Sequence, residues 1–131
     1  MMTEQKDLPE AREACPTTSQ KLLAEGALLV DVREADEVAA CGFAGCAVMP
    51  IPLSQFEARF AEIPRDREVI LACATGDRSL NATYFLMYQG YTKVTNMKHG
   101  LARWVARGFP ITGTAAAVTA GGCGCGSGTC C

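Results

Sequence analysis

The most constraining feature of this chain is a run of apolar residues that stops at a cysteine and passes into an amphipathic segment. The run covers residues 69–72, Cys73 follows it, and Gly76 lies just before the amphipathic segment from Arg78 to about Gln89. Branched apolar residues favour a strand, glycine favours a tight loop, and apolar residues at helical spacing favour a helix. The sequence therefore predicts a strand, a loop and a helix, with the Cys73 thiol at the tip of the strand.

The predicted loop has the chemistry of an anion site. Backbone N–H groups that curl around one point, beside a helix N-terminus, bind negative charge and favour a thiolate over a thiol. Gly76 permits a positive φ, and Arg78 supplies a fork of donors suited to an oxyanion. We therefore interpret Cys73 as a nucleophile, against the alternative of a buried, inert cysteine at a strand end. The candidate substrate-binding loop consists of Ala74, Thr75, Gly76, Asp77 and Arg78.

Short apolar strands alternate with helical segments through most of the chain. Strand patterns occur at residues 27–32, 48–51, 68–72 and 92–95, and helical spacing follows each of them. Such alternation predicts an α/β fold with a central, mostly parallel sheet that is flanked by helices on both faces. Pro50 favours the edge of that sheet for its own strand. Open α/β sheets bind ligands at the carboxyl ends of their strands, which is where the sequence places Cys73.

The composition limits the classes of partner and the location. The chain has 131 residues and a formal net charge of -2, whereas nucleic-acid binding favours a basic face. No apolar run approaches the ~20 residues of a membrane span, and residues 1–14 lack the apolar region of a secretion signal. We therefore expect a cytoplasmic protein with no nucleic-acid or membrane partner. In a reducing compartment, the 8 cysteines indicate catalysis, redox chemistry or metal binding before a disulfide framework.

Three motifs, in order along the chain, resemble those of the rhodanese-like sulfurtransferase family. The first is the stretch Leu28–Glu34, and the second is the pattern Cys-x-x-Gly-x-Arg-Ser at residues 73–79. The third combines Gly90–Val94 with Gly100–Trp104. The resemblance covers about Thr17 to Ile111 and implies a rhodanese-like fold for that part of the chain.

The chain is predicted to have three parts, of which the resemblance covers the middle one, a rhodanese-like domain at residues 17–112. The composition of the two ends predicts a flexible N-terminal arm at residues 1–16 and a flexible tail rich in glycine and cysteine at residues 113–131. Residues 42–47 depart from the family pattern, because a histidine and a proline are missing and Cys46 stands where glycine is expected. We interpret Cys46 as a small buried side chain, with an additional thiol function as the alternative.

The resemblance implies an enzyme that carries sulfur. The Cys73 thiolate would attack the outer sulfur of thiosulfate or of a low-molecular-weight persulfide, hold it as a persulfide, and pass it to cyanide, a thiol or a protein cysteine. Arg78 would hold the loop and steady an anionic donor, with no metal or organic cofactor. Four residues separate Cys73 from Arg78, one fewer than in the related phosphatases, and the smaller ring favours sulfur transfer over phosphate hydrolysis. The alternative is a binding module that delivers sulfur or metal with little turnover.

Several neighbouring residues allow more than one interpretation. A carboxylate at Asp77 opposes a dianionic donor, so we expect thiosulfate to be a poorer donor than an organic persulfide. His99, the only histidine, is a candidate acid/base partner, although the resemblance implies a structural loop there. Asp31 and Arg33 either contact substrate or pair to pin a strand end. We interpret Trp104 as core packing.

The end of the chain lies outside the resemblance. It is almost pure glycine and cysteine from residue 121 onward, a composition that favours a flexible chain. Three hypotheses remain open: a sulfur relay from Cys73, a site for a soft metal, and no dedicated role. The metal hypothesis is weak because the spacing differs from standard zinc sites. The thiols concerned are Cys123, Cys125, Cys130 and Cys131.

Overall fold

The structure is a computed structural model, and it describes residues 10–113. The elements alternate between strands and helices, as the sequence predicts. In chain order they are β1 (Arg12–Ala14), α1 (Pro16–Ala24), β2 (Leu28–Asp31), α2 (Ala35–Ala40), β3 (Cys41–Phe43), β4 (Val48–Pro50), a 3₁₀ turn (Leu53–Gln55), α3 (Phe56–Arg59), a second 3₁₀ turn (Phe60–Glu62), β5 (Val69–Ala72), α4 (Asp77–Tyr88), β6 (Val94–Met97), α5 (Gly100–Ala106) and β7 (Ile111–Gly113).

The main sheet of the described residues has 5 strands in the order β1-β6-β5-β2-β4, and every neighbouring pair is parallel. β2 and β5 lie side by side and are buried along their whole length. Their continuous apolar runs fit strands that are covered on both faces. The predicted α/β fold with a mostly parallel central sheet is therefore confirmed, and β4, with Pro50, lies at an edge.

Two apolar clusters cover the faces of this sheet. One contains Val30, Leu71 and Leu86, and the other contains Leu29 and Ile70. Alternation of side chains along β2 and β5 sends successive residues to opposite faces, which divides the core in this way. The second cluster also includes Trp104 with 1% of its surface exposed, which confirms its predicted place in the core.

The first strand lies where the sequence predicted a flexible arm. The arm was expected to reach residue 16, but Arg12–Ala14 forms β1 beside β6, and α1 begins at Pro16. A strand of three residues at a sheet edge carries too few side chains for an alternating pattern, and its pairing depends on backbone groups. Proline in the first turn of α1 costs no helical hydrogen bond.

A second, smaller sheet was not predicted. β3 and β7 pair antiparallel, with Gly42 opposite Thr112. These strands are three residues long and lie at widely separated positions of the chain, so no local sequence pattern indicates their pairing.

Within residues 10–113, none of the helices has the length and apolar character needed to cross a bilayer.

Candidate active site

Cys73 lies directly after β5, at the carboxyl end of the parallel sheet, as the sequence predicts. Its side chain is fully buried. The sulfur accepts a hydrogen bond from the backbone N–H of Gly76 at 3.0 Å and a longer one from the N–H of Ser79 at 3.4 Å. Backbone donors that converge on one sulfur stabilise negative charge there. The site can therefore hold a sulfur-centred anion.

Gly76 shapes the loop by its conformation and by its lack of a side chain. It has φ +102° and precedes the first residue of α4. An added Cβ would lie 3.0 Å from the backbone nitrogen of His99. The positive φ expected at Gly76 is therefore confirmed, and the close contact with the loop after β6 gives a second reason for glycine.

The start of α5 holds the carbonyl groups of the loop. Leu101 N–H donates to the carbonyl of Cys73 at 2.9 Å, and Ala102 N–H donates to that of Ala74 at 3.0 Å. These carbonyls use the first free N–H groups of a helix, which would otherwise need other partners. Sequence reasoning did not identify this contact.

Gly100 allows the approach of α5 to the loop. It has φ +57°, and an added Cβ would lie 2.3 Å from the carbonyl oxygen of Cys73. Both the conformation and the space therefore require glycine. In the sequence, the feature that could have indicated this close approach is the glycine directly after His99. The structure adds that His99 also has a positive φ, of 68°.

Arg78 lies where the loop enters α4, but its guanidinium binds a carboxylate of the protein. Two of its nitrogens donate to the Glu37 carboxylate, at 2.9 and 3.1 Å. The pair joins the loop to α2, and the Arg78 side chain keeps 36% of its surface exposed. The hydrogen bonds from Arg78 hold the pKa of Glu37 below its usual value. The guanidinium fork predicted for a substrate oxyanion is thus directed at Glu37.

Asp31 and Arg33 form a buried pair at the end of β2. The guanidinium donates to both carboxylate oxygens of Asp31, with the shortest contact at 2.9 Å. The backbone N–H of Arg33 donates to Asp31 as well. This arrangement fits the interpretation that the pair pins the strand end, and Arg33 also lines the cavity beside the loop, so a contact with substrate stays a hypothesis.

A cavity of about 350 Å³ lies beside the loop. Its wall includes Ala74 and Thr75, the two residues after Cys73, together with the charged side chains of Arg33, Asp36 and Glu37. Asp77 is exposed at the start of α4. The pairs of Arg78 with Glu37 and of Arg33 with Asp31 each balance one positive charge, so the carboxylates of Asp36 and Asp77 disfavour an anion near the loop.

The two other groups that the sequence offers as candidates, Cys46 and His99, have shifted pKa values. Burial raises the pKa of the Cys46 thiol, which packs partly against the second apolar cluster, so it is poorly suited to be a nucleophile. Burial, followed by the charges of Arg103 and Lys98, lowers the pKa of His99. His99 lies at the start of α5, and its role as an acid/base partner stays a hypothesis.

The cysteines of the predicted relay lie outside the described residues. These are Cys123, Cys125, Cys130 and Cys131. Within residues 10–113, no three histidine, cysteine or acidic side chains are grouped closely enough to hold a metal ion.

Comparison with known proteins adds the following matches. Residues 16–107 match the model of the rhodanese-like domain. A sulfurtransferase of Allochromatium vinosum is 40% identical over 94 residues, which cover 71% of this chain and 86% of that protein. The thiosulfate sulfurtransferase GlpE of Haemophilus influenzae is 30% identical, over 79% of this chain and 96% of its own. The crystal structure of a rhodanese-related protein from Thermoplasma volcanium superposes with a TM-score of 0.68 at 25% identity, covering 76% of this chain and 96% of that one.

Proposed function

This chain belongs to the family of rhodanese-like domains, and we propose that it moves sulfane sulfur through a persulfide on Cys73. The observation that carries the proposal is the buried Cys73 sulfur, which accepts two backbone N–H donors at the carboxyl end of β5. The names of the relatives support a general sulfurtransferase role. The donor, the acceptor and the roles of individual residues are part of the proposal.

The first half of the reaction loads the cysteine. The Cys73 thiolate attacks the outer sulfur of thiosulfate, the bond between the two donor sulfurs breaks with its electron pair, and sulfite leaves. With an organic persulfide as donor, the leaving group is the corresponding thiolate. In both cases the cysteine ends as Cys73-S-S⁻ or its protonated form. Backbone donors of the loop stabilise the negative charge on the bound sulfur.

The second half returns the enzyme to its starting state. An acceptor nucleophile attacks the outer sulfur, the sulfur–sulfur bond breaks, and the Cys73 thiolate leaves. Cyanide becomes thiocyanate, and a thiol acceptor becomes a persulfide. Neither half requires a metal or an organic cofactor. We place this chemistry in the cytoplasm, where reducing conditions keep a catalytic thiol available.

Arg78 is proposed to act by positioning the loop. Its contacts with Glu37 tie the end of the loop to α2. With its charge balanced in this way, Arg78 contributes less to the attraction of an anionic donor than an unpaired arginine would. The electrostatics therefore favour an organic persulfide over thiosulfate as the sulfur donor.

The proposal predicts that Asp77→Asn increases the use of thiosulfate. A unit charge about 8 Å from a dianion in water changes its energy by about 1 kcal/mol, so kcat/KM for thiosulfate should rise about fivefold. The measurement is thiocyanate formation from thiosulfate and cyanide at low salt. The gain should shrink at high salt, where screening removes it.

Two comparisons make this test specific. A small persulfide with an uncharged organic part carries at most one negative charge, on its own sulfur, so Asp77→Asn should raise its rate by about twofold at most, less than for the thiosulfate dianion. Glu25→Gln removes a carboxylate next to the start of β2, at the opposite end of the sheet, and should leave the thiosulfate rate unchanged. An unchanged thiosulfate rate in Asp77→Asn would show that this charge does not select the donor. Failure of both donors to react with the wild-type protein would contradict the proposed function itself.

A further inference from the structure

A chain of four side chains connects the surface to the sulfur of Cys73. Glu13 on β1 is exposed and lies opposite Asn96 on β6, and Asn96 is followed by Ser79 and then by Cys73. The last three side chains are fully buried. We propose that Asn96 and Glu13 are positioning residues that keep the Ser79 hydroxyl proton away from Cys73, and thereby disfavour the empty thiolate relative to the sulfur-loaded cysteine.

The orientation of the Asn96 amide follows from its neighbours. Its nitrogen donates to the Glu13 carboxylate at 2.8 Å and to the backbone carbonyl of Gly76 at 3.3 Å. A backbone carbonyl can only accept, so the opposite orientation would place two oxygens against each other at Gly76. The amide oxygen of Asn96 therefore faces Ser79.

The Ser79 hydroxyl has one proton and two neighbours that could receive it. Its oxygen lies 2.5 Å from the Asn96 amide oxygen and 3.4 Å from the Cys73 sulfur. The amide oxygen has no proton of its own, so the short contact requires the proton of Ser79. The lone pairs of the hydroxyl oxygen are then left for Cys73.

The thiol, the thiolate and the persulfide of Cys73 interact differently with the Ser79 hydroxyl. A thiol can donate its proton to the Ser79 oxygen. A thiolate faces that oxygen with no proton between them, and its hydrogen-bond donors among residues 10–113 are then the N–H groups of Gly76 and Ser79. In a persulfide the charge moves to the outer sulfur, and the inner sulfur needs no donor. The network therefore stabilises the thiol and the loaded cysteine more than the empty thiolate.

The position of the Ser79 proton is inferred from geometry alone and does not depend on the proposed function. The preference for the loaded cysteine does rest on the proposed sulfur transfer. Alkylation of Cys73 reports on the thiolate without any sulfur donor. A failed alkylation test would therefore contradict the network, and a failed transfer assay would contradict the function.

The experiment measures the rate of Cys73 alkylation by iodoacetamide against pH in the full-length protein. Trypsin releases residues 68–78 as one peptide, in which Cys73 is the only cysteine, so mass spectrometry follows this thiol alone. The variants are Asn96→Ala, Ser79→Ala, the double variant, and the surface pair Glu13→Ala and Glu13→Gln. None of these substitutions lies within the peptide.

Asn96→Ala should release the Ser79 proton for the thiolate. The midpoint of the alkylation profile should move about one pH unit toward acid, as expected for a new hydrogen bond to a charged group. The plateau rate at high pH should fall about threefold, because a more stable thiolate is a weaker nucleophile. In the Ser79→Ala background, Asn96→Ala should have no further effect on the midpoint, because the hydroxyl proton that it would release is absent.

The Glu13 pair tests the same idea from the surface. Glu13→Ala should shift the midpoint in the same direction by a smaller amount, because the carbonyl of Gly76 still orients the amide. Glu13→Gln removes the same charge but keeps an acceptor oxygen, and it should retain the wild-type midpoint. Equal shifts in both variants would indicate a charge effect and would overturn the role of Glu13.

Other charged groups around the network stay constant. Arg78 interacts with Cys73 and is paired with Glu37, while His99 interacts with Glu13. All of these groups except Glu13 itself are present in every variant. An unchanged midpoint in every folded variant, a shift toward alkaline pH, or a shift in Asn96→Ala that persists without Ser79 would overturn the proposal.

Discussion

Cys73→Ser is expected to reduce sulfur transfer to the uncatalysed rate. A serine hydroxyl cannot form the persulfide, and no other group in the loop can take its place. Loss of the nucleophile should lower kcat by at least about a thousandfold. The measurement is thiocyanate formation with both donors, at matched protein concentration. The folded state of the variant can be checked by its urea unfolding curve.

The matched control is Cys46→Ser. Cys46 is a free thiol, and burial raises its pKa. Its substitution should leave at least about half of the activity, because the thiol is poorly ionised and lies outside the loop. Substantial transfer by folded Cys73→Ser, or loss of transfer in Cys46→Ser alone, would contradict the assignment of Cys73.

Gly100→Ala is expected to destabilise the protein and to disrupt the loop. An alanine at φ +57° costs about 1–2 kcal/mol in backbone conformation. Its Cβ would also lie 2.3 Å from the carbonyl oxygen of Cys73, so the loop or α5 must move. We expect a loss of about 3 kcal/mol or more in the free energy of unfolding, together with loss of sulfur transfer.

Gly108→Ala separates the conformational cost from the contact. Gly108 has φ +80°, and an added Cβ would meet nothing within 4 Å. This variant should lose only about 1–2 kcal/mol and should retain activity. Urea denaturation of the two variants gives the comparison. Equal losses in Gly100→Ala and Gly108→Ala would show that the contact with Cys73 adds no constraint.

The main sheet could be predicted because its signals are local. Short strands of mostly apolar residues, such as Leu28–Asp31 and Val69–Ala72, are followed by helical spacing, and together these patterns indicate buried parallel strands. The pairing of β3 with β7 could not be predicted, because it depends on contacts such as the one from Gly42 N–H to the Thr112 hydroxyl, 70 residues apart. Strand β1 was missed because three residues are too few to show an alternating pattern.

The candidate site could be predicted in part for the same reason. Cys73 and the positive φ of Gly76 follow from the order of residues in one strand, loop and helix. The sequence could not show that Glu37, 41 residues away, binds the Arg78 guanidinium. Nor could it show that Leu101 holds the carbonyl of Cys73. Both contacts arise only when separate elements meet at the end of the sheet.

The most direct test of the central claim is the mass of Cys73 after exposure to a sulfur donor. The reduced, full-length protein is treated briefly with thiosulfate or a small organic persulfide, trapped with iodoacetamide and digested with trypsin. Residues 68–78 carry Cys73, and residues 108–131 carry all four cysteines of the tail in a separate peptide. The account predicts one added sulfur on peptide 68–78, absent from Cys73→Ser. A folded, reduced protein that gains no sulfur on this peptide from either donor would contradict the account.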